Sequence, residues 1–494
     1  MKKIFLLFAA SALTLSAFAE GYQVNTLSSK QNGMGHVGVA MKLNSESIHF
    51  NPAATVFQTS KFSISAGLSG IKASATYIPV NDYSNNPIVK HKTDNGISTP
   101  IYAYFNYKPI DKLALGVGFT TPFGSSMKWD NNWVGAHLIQ EINLSAYTIQ
   151  PTISYKICDK LSIGAGLMIT WGNFDLSRAM LPVGVGNQLI AGALTVAAGN
   201  YQAAADEYQT IGNAAEAAKY AAMAQQAQQG AGYIKNINSE PLVSAKLKGD
   251  AKVAFGVNIG ILYDINEEWS LGFSYRSRMN MKATKGTAEL IYRDATVAGI
   301  LAQVNQASVA GGGTAVIPAL NEGTFTAELP MPTNLTWGVS FRPTPKWEFA
   351  VDLQWVGWSA YENLNVVFNE PELKLEDINS VKNYNNTLIF RFGSQYRAND
   401  WLTARMGMYV DESPVRSDYL NPETPSMTKM AFTAGLSLRP TQYMSIDLSY
   451  GYIASADPER TGSYPYEIQG VSKPFSGNYR LHAHTFSVGL GFAF

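Results

Sequence analysis

The sequence has almost no cysteine and little charge. Cys158 is its single cysteine, so no internal disulfide can form, and zinc or redox sites built on paired cysteines are excluded. Charged residues make up 15% of the chain, against ~25% in an ordinary soluble domain. The 37 Lys and Arg balance the 37 Asp and Glu, which argues against a nucleic-acid binder that works through a basic surface. An aromatic content of 12% excludes a disordered chain.

A long apolar run is missing as well. The chain opens with Lys2 and Lys3, residues 4–17 are apolar, and 17–19 form a small-residue cleavage site, a pattern typical of a secretory signal peptide over residues 1–19. A membrane anchor is the alternative, but no stop-transfer pattern follows. Beyond this region no stretch of about 18 apolar residues occurs, which excludes transmembrane helices. The sequence therefore predicts an exported protein without helical spans.

The mature chain instead contains many segments of about ten residues in which apolar and polar residues alternate. In residues 402–410 every second residue is apolar, and the intervening ones include Thr403 and Arg405. Residues 161–171 and 444–452 repeat this pattern. Because successive side chains of a strand point to opposite faces, each segment predicts a β-strand with one apolar face.

The turns indicate what kind of sheet these strands form. Short polar turns flanked by aromatic residues or leucine recur, as at 107–113, 155–161 and 396–401, and much longer polar connections lie between them. Outer-membrane barrels have this asymmetry of short periplasmic turns and long extracellular loops. An alternating segment also ends the chain at Phe494. The predicted fold class is therefore all-β, with residues 59–494 forming a transmembrane antiparallel β-barrel of about fourteen strands.

Two long connections, at about 178–248 and 286–320, are predicted to be partly helical extracellular loops. An Ala- and Gln-rich run over 203–230 favours helix in the first loop, and Leu189 and Ile190 are predicted to capture hydrophobic ligand there. A disordered low-complexity loop is the alternative. The second loop has apolar residues at roughly helical spacing, and packing of these loops onto the barrel rim is the alternative to ligand capture.

Residues 20–58, called the N-terminal segment below, lack the alternation of a membrane strand. A barrel of about fourteen strands has a wide lumen that is either open or filled. The glycines and small apolar residues of this segment suit packing inside a lumen. We therefore predict that the N-terminal segment is a hatch that plugs the barrel, with a mobile periplasmic tail as the alternative.

Several short motifs follow one another along the mature chain. They are Gly21-Tyr22-Gln23-Val24-Asn25, Gly33-Met34-Gly35, Asn51-Pro52-Ala53, Trp358-Ser359 and Asp411-Glu412-Ser413-Pro414-Val415. Their order and spacing resemble the FadL-type outer-membrane transporters of long-chain fatty acids and aromatic hydrocarbons. The resemblance implies a fourteen-stranded barrel, an N-terminal hatch, capture at extracellular loops and an apolar pocket above the hatch. It also implies a kinked third strand where cargo leaves sideways into the membrane.

The resemblance also implies roles for single residues. It assigns to the hatch Gly21, Tyr22, Gln23, Gly33, Gly35, Asn51, Pro52 and Ala53. Arg178 falls where the family has a carboxylate-binding arginine, and an ion pair with Asp175 is the structural alternative for it. Lys382 is near the family's ligand-binding lysine but about three residues out of register, with Asn385 in its place. That departure makes a neutral aromatic or other uncharged lipid cargo more plausible.

The sequence thus predicts passive transport of hydrophobic compounds across the outer membrane, with long-chain fatty acids or related lipids and hydrocarbons as cargo. Catalysis is not expected, because no G-x-S-x-G motif occurs and His482 and His484 suit an interface contact. The alternatives are a non-transporting adhesin or structural protein, or a porin for polar solutes. We expect a monomer in the bacterial outer membrane, in contact with membrane lipid, with a hydrophobic small-molecule ligand and without cofactor, metal or nucleic acid.

Overall fold

A computed structural model of the chain describes residues 22–80, 89–237, 240–310, 322–369, 377–457, 459–468 and 471–494. The predicted signal peptide, residues 1–19, and the predicted hatch residue Gly21 lie outside the described residues. The part of the second predicted loop at 311–320 lies outside them too.

Within these ranges, twenty strand segments make up a single antiparallel sheet. They are β1 (Phe62–Pro79), β2 (His91–Lys92), β3 (Ile101–Ile110), β4 (Leu113–Lys128), β5 (Glu141–Cys158), β6 (Leu161–Ala179), β7 (Val243–Asp264), β8 (Trp269–Arg276), β9 (Met279–Tyr292), β10 (Glu322–Met331), β11 (Asn334–Thr344), β12 (Trp347–Val356), β13 (Asn363–Phe368), β14 (Ile378–Val381), β15 (Thr387–Arg397), β16 (Leu402–Asp411), β17 (Lys429–Thr441), β18 (Met444–Ser455), β19 (Arg460–Ile468) and β20 (Val471–Ala493).

The sheet closes on itself, because β1 pairs with β3 on one side and with β20 on the other. At the seam the amide of Phe62 donates to the carbonyl of Phe494 at 2.8 Å, and the reverse bond measures 3.0 Å. The pairs β8–β9, β10–β11, β12–β13 and β14–β15 are each one barrel strand with an interruption. Counted in this way, and without the short β2 and β19, the ring has fourteen strands. The predicted fold class is confirmed.

Side chains of the barrel strands alternate between lipid and lumen, as the period-2 pattern requires. On β4, Leu115 and Val117 are 41% and 42% exposed on the outside. Gly116 and Gly118 between them face the lumen, where a Cβ at either would contact the side chain of Ile48. The apolar face of each strand therefore meets the membrane, and small or polar residues leave room inside.

The described part of the N-terminal segment, residues 22–58, lies inside the ring. It contains two short helices, α1 (Ser29–Asn32) and α2 (Ser47–Phe50), and 3-10 turns at Asn44–Glu46 and Pro52–Phe57. Helix α1 packs against β17, β18 and β20, and the Pro52–Phe57 turn packs against β5, β6 and β7. The segment therefore touches strands on different sides of the barrel.

Glycines on the inner wall allow the N-terminal segment to approach the strands closely. A Cβ added at Gly435 would lie 3.0 Å from the Cα of Gly33, and one at Gly407 would lie 2.2 Å from the amide nitrogen of Gly35. Gly35 itself has φ +68°, a left-handed conformation that favours glycine. Wall and segment thus meet through backbone at these points, with no room for a side chain.

Polar groups fix the segment to the wall as well. The Asn51 amide donates to the carbonyls of Val39 at 2.7 Å and Ile261 at 3.0 Å. The Asp352 carboxylate accepts the amides of Gly38 at 2.7 Å and Val39 at 3.2 Å. Since buried backbone groups without a partner are costly, these bonds stabilise an irregular chain inside the lumen.

Three longer helices lie in the extracellular loops: α3 (Val185–Thr210), α4 (Ala214–Asn236) and α5 (Ala295–Ala310). Their shared apolar cluster includes Ile190, Leu194, Ile234, Val297, Ile300 and Leu301. Strand β6 continues to Ala179, β7 begins at Val243, and β9 continues to Tyr292. Both predicted loops are therefore shorter than their predicted boundaries of 178–248 and 286–320. None of the helices within the described ranges is both long and apolar enough to span a bilayer.

Candidate ligand-binding cavity

A cavity of about 740 Å³ lies between the N-terminal segment and the extracellular loops. Its walls come from inward side chains of β5, β6, β7, β9, β10 and β13, and most of them are apolar. They include Leu144, Phe174, Leu176, Met281, Leu329 and Val366. Inward residues near the extracellular ends of these strands are therefore larger and more apolar than the glycines that face the N-terminal segment.

Tyr22 contributes to the cavity from the N-terminal segment. Its ring lies edge-on to Trp358, with the centroids 4.9 Å apart, and edge-on to Tyr361 at 5.9 Å. Its hydroxyl donates to the carbonyl of Pro330. Tyr22 is thereby held by the wall, and the sequence motif that contains it indicated its importance but not this position.

Arg178 lines the cavity, as its inward register predicted. The parity holds because pairing of β5 with β6 is regular between Trp171 and Ser177, and the bulge near Thr170 adds its extra residue to β7. Asp175, the predicted alternative partner, instead pairs with Lys246 at 3.5 Å. Within the described part of the chain, Arg178 forms no hydrogen bond or ion pair with another residue. Its guanidinium is available to a ligand.

Lys382 lies beside the cavity and does not line it. Its side chain is 1% exposed, and its ammonium is 2.8 Å from the Glu423 carboxylate, which does line the cavity. The structure therefore places this predicted ligand residue behind an acidic side chain. The sequence did not indicate Glu423 or Tyr464, which both line the cavity. Both lie far along the chain from Arg178 and carry no motif of their own.

Leu189 and Ile190 lie apart from the cavity. Leu189 is 42% exposed on α3, whereas Ile190 is 4% exposed within the cluster that joins α3, α4 and α5. The loop reaches the cavity through its stem instead, by Leu181 and Pro182, which precede α3. Contact of Leu189 or Ile190 with a captured ligand stays a prediction; for Leu189 it concerns the outer surface of the loop, and for Ile190 it concerns the interior of the helix cluster.

His137 also faces the cavity, from the loop between β4 and β5. Burial and then the positive charge of Arg178 lower the pKa of His137 to about 4. The imidazole is therefore neutral at physiological pH, and His137 adds no charge to this end of the cavity.

Besides Tyr22, which lines the cavity, the predicted hatch residues within the described chain occupy three kinds of position. Gln23 forms a β-bridge with Phe123 of β4. Gly33 and Gly35 touch the inner wall through backbone, as described above. Asn51 accepts the amide of Ala53 at 3.1 Å and begins the turn that contains Pro52.

Strand β4, the third strand of the barrel, is irregular where the N-terminal segment meets it. Its pairing with β5 shifts register between Thr120 and Phe123. On the other side, pairing with β3 ends at Thr120, and beyond it the N-terminal segment forms the backbone hydrogen bonds with β4. The Val24 amide donates to the Pro122 carbonyl at 2.9 Å, and the Gly124 amide donates to the Tyr22 carbonyl at 2.9 Å. The wall is therefore completed here by the segment that also carries Tyr22.

A closed fourteen-stranded barrel with an internal N-terminal segment and an apolar cavity near its extracellular loops defines the class of outer-membrane transport barrels. The chain belongs to the family described as outer membrane protein transport protein (OMPP1/FadL/TodX), whose sequence model matches residues 10–494. Members of this family are transporters, and the chain is a protein of the bacterial outer membrane.

Two relatives are similar over most of their length. Long-chain fatty acid transport protein of Escherichia coli strain K12 is 23% identical over 481 residues, which cover 95% of this chain and 96% of that protein. Outer membrane protein P1 of Haemophilus influenzae is 22% identical over 480 residues, which cover 92% of this chain and 90% of that protein.

Solved structures show the same fold. A FadL homologue from Pseudomonas aeruginosa has a TM-score of 0.70 at 16% identity, and the match covers 96% of this chain and 100% of the homologue. The P. putida toluene transporter TodX has a TM-score of 0.64 at 16% identity, and the match covers 96% of this chain and 99% of TodX.

Proposed function

We propose that the protein takes up hydrophobic carboxylic acids of the fatty-acid type passively across the outer membrane. The observation that carries this proposal is the combination of an apolar cavity of about 740 Å³ with the guanidinium of Arg178 at its wall, which forms no ion pair with the described residues. Relatives named as long-chain fatty acid transport proteins support the same cargo class.

The energetics favour such a ligand. Each buried methylene of an acyl chain contributes about 0.8 kcal/mol, so an apolar cavity can extract the chain from water, which a water-filled pore cannot do. The volume also lies within the range of about 300–1,000 Å³ that is usual for small-molecule sites. A charge-assisted bond from Arg178 to the carboxylate adds about 1.5–3 kcal/mol.

The path proposed for the cargo has three steps. The extracellular loops capture it, the cavity above the N-terminal segment holds it, and it leaves sideways through the wall at the irregular part of β4. Support for the last step is that, among the described residues, pairing of β4 with β3 ends at Thr120 and this edge of β4 then bonds to Tyr22 and Val24, while pairing with β5 continues in a shifted register. Movement of this part of the N-terminal segment would open the wall next to the cavity.

A neutral aromatic hydrocarbon is the second candidate cargo. Lys382 is already paired with Glu423, the rest of the cavity is mostly apolar, and Tyr22 and Tyr361 bring aromatic rings to it. A structural relative is named as a toluene transporter. An adhesin or a polar porin is less favoured, because neither role uses an apolar internal cavity.

Equilibrium binding to the purified protein in detergent separates the candidates. Dodecanoate, methyl dodecanoate and toluene are compared; the acid and its ester share one acyl chain, and only the acid carries a charge. We expect dodecanoate to bind about tenfold or more tightly than its methyl ester, as one charge-assisted bond requires. Equal affinity for acid and ester would assign the cavity to neutral cargo, and no binding of any of the three would reject transport of hydrophobic compounds.

A further inference from the structure

We infer that Lys382 holds the Glu423 carboxylate away from Arg178 and thereby keeps Arg178 available to the carboxylate of the cargo. This inference rests on the proposed function, since it concerns the same cavity. It makes Lys382 a positioning residue rather than a direct ligand of the cargo.

Two of the three charged side chains belong to the cavity wall, and the third, Lys382, contacts one of them from outside the cavity. Arg178 and Glu423 both line it, and Glu423 is the acidic side chain whose charge bears most on the Arg178 guanidinium. Glu423 nevertheless forms its ion pair with Lys382, at 2.8 Å. Two cations therefore compete for one carboxylate, and the cation outside the cavity binds it.

The backbone around Glu423 is anchored, so its side chain is the part that can change partner. The Asn421 side-chain oxygen accepts the amides of Glu423 at 3.0 Å and Thr424 at 3.2 Å. The Trp129 indole donates to the Pro422 carbonyl at 3.0 Å, and the hydroxyls of Tyr384 and Thr424 are 3.0 Å apart. These bonds present Glu423 at a fixed point of the cavity wall.

Lys382 is fixed equally well. Its amide donates to the Glu362 carbonyl at 2.7 Å, and the following residue, Asn383, has φ +43°, which turns the chain before β15. Its side chain is almost fully buried, at 1% exposure. A buried ammonium needs a partner, since an unpaired buried charge is strongly unfavourable, and Glu423 is its partner here.

The charge balance explains why this arrangement matters for binding. Arg178, Lys382 and Glu423 together carry one net positive charge, which a cargo carboxylate neutralises. Without Lys382, Arg178 and Glu423 would neutralise each other, and the cargo would have to displace Glu423. Without Glu423, both cations would attract the cargo. Because Coulomb interactions are strong in a poorly hydrated cavity, these changes alter the affinity for an anionic cargo and leave the affinity for a neutral cargo nearly unchanged.

Binding of dodecanoate and methyl dodecanoate to three variants tests the inference. Lys382→Met should weaken dodecanoate about tenfold, and Glu423→Gln should bind it at least as tightly as the unmodified protein does. The double variant, in which Arg178 alone attracts the cargo, should recover about the affinity of the unmodified protein. Methyl dodecanoate should change by less than about threefold in all three. A purely structural pair predicts that Glu423→Gln weakens both ligands as much as Lys382→Met does, with no recovery in the double variant, and this result would overturn the inference.

A second measurement does not depend on the cargo. Phenylglyoxal reacts with accessible arginine, and peptide mass mapping reports the rate of modification at Arg178. Arg460, which donates hydrogen bonds to Ser413, Ser426 and Val415, serves as the reference in the same digest. The rate at Arg178 should fall in Lys382→Met and recover in the double variant. An unchanged rate in Lys382→Met overturns the inference. If the rates behave as expected while acid and ester bind equally, the role of Lys382 stands and the proposed carboxylate cargo is wrong.

Discussion

The amide of Val24 donates a hydrogen bond to the carbonyl of Pro122 at 2.9 Å, which joins the N-terminal segment to the third strand of the barrel. Two residues earlier in the chain, Tyr22 lines the cavity. A ligand that displaces Tyr22 therefore acts on a segment that also completes the barrel wall. This connection links occupancy of the cavity to the proposed lateral exit.

A crosslink tests that link. A Cβ at Gly124 would lie 3.8 Å from a Cγ methyl carbon of Val24, close to where the sulfur of a cysteine at position 24 would lie. Val24→Cys with Gly124→Cys should therefore form a disulfide. With Cys158→Ser as background, the oxidised protein should bind dodecanoate normally but lose uptake into cells, and reduction should restore uptake. Equal uptake by the oxidised and reduced forms would place the exit elsewhere.

Removal of residues 22–54 should open the barrel. The lumen of a fourteen-stranded ring is wide, and the backbone hydrogen bonds of the wall run between strands, so the barrel should persist, as circular dichroism can check. We expect large ion conductance in planar bilayers from the deletion variant and almost none from the intact protein. Deletion of 185–236, which removes α3 and α4, is the control and should leave the conductance low. Similar conductance from all three proteins would show that the N-terminal segment does not close the lumen.

Arg178→Met should weaken dodecanoate by roughly tenfold to a hundredfold, the equivalent of one charge-assisted bond of about 1.5–3 kcal/mol. Methyl dodecanoate and toluene should be nearly unaffected, since neither carries a charge. Lys246→Met is the matched control, because this lysine lies on the neighbouring strand and is paired with Asp175. Parallel losses for acid and ester in Arg178→Met would indicate a structural role for this arginine.

In the loop that contains α3 and α4, ligand binding should be sensitive to substitution at the stem and tolerant of substitution at the outer surface. Leu181→Asp places a charge in the cavity wall and should weaken methyl dodecanoate about tenfold or more, since burial of an apolar side chain is worth about 1.5–3 kcal/mol. Leu189→Asp, at an exposed position, should leave equilibrium binding unchanged. A large loss with Leu189→Asp and none with Leu181→Asp would instead locate the ligand on the outside of the helices.

The same loop offers a prediction about stability. Ile190 is 4% exposed in the cluster formed by α3, α4 and α5, so Ile190→Asp buries a carboxylate without a partner there, which is strongly unfavourable. We expect faster hydrogen exchange throughout 185–236, measured by mass spectrometry, with unchanged exchange in the barrel strands. Protection of α3 and α4 equal to that of the unmodified protein would mean that the helices do not depend on this cluster.

The barrel follows from local patterns in the sequence. A period of two residues with one apolar face, short turns with aromatic residues and long loops between them are local properties, and a strand that crosses a membrane must show them because every lipid-facing side chain must be apolar. The inward register of Arg178 follows from the same parity. The glycines of residues 33–35 and the Asn51 motif indicated an N-terminal segment suited to a lumen.

The arrangement of the charges follows from the folded chain and not from local sequence patterns. Arg178, Lys382 and Glu423 lie on separate strands and loops, and only closure of the ring brings Arg178 and Glu423 to the cavity wall and Lys382 against Glu423. Which cation binds the glutamate depends on distances of a few ångströms, which no spacing in the chain encodes. The separation of Leu189 from Ile190 has the same origin, since neighbouring residues of a helix point in different directions and only packing against α4 and α5 fixes which of them is buried.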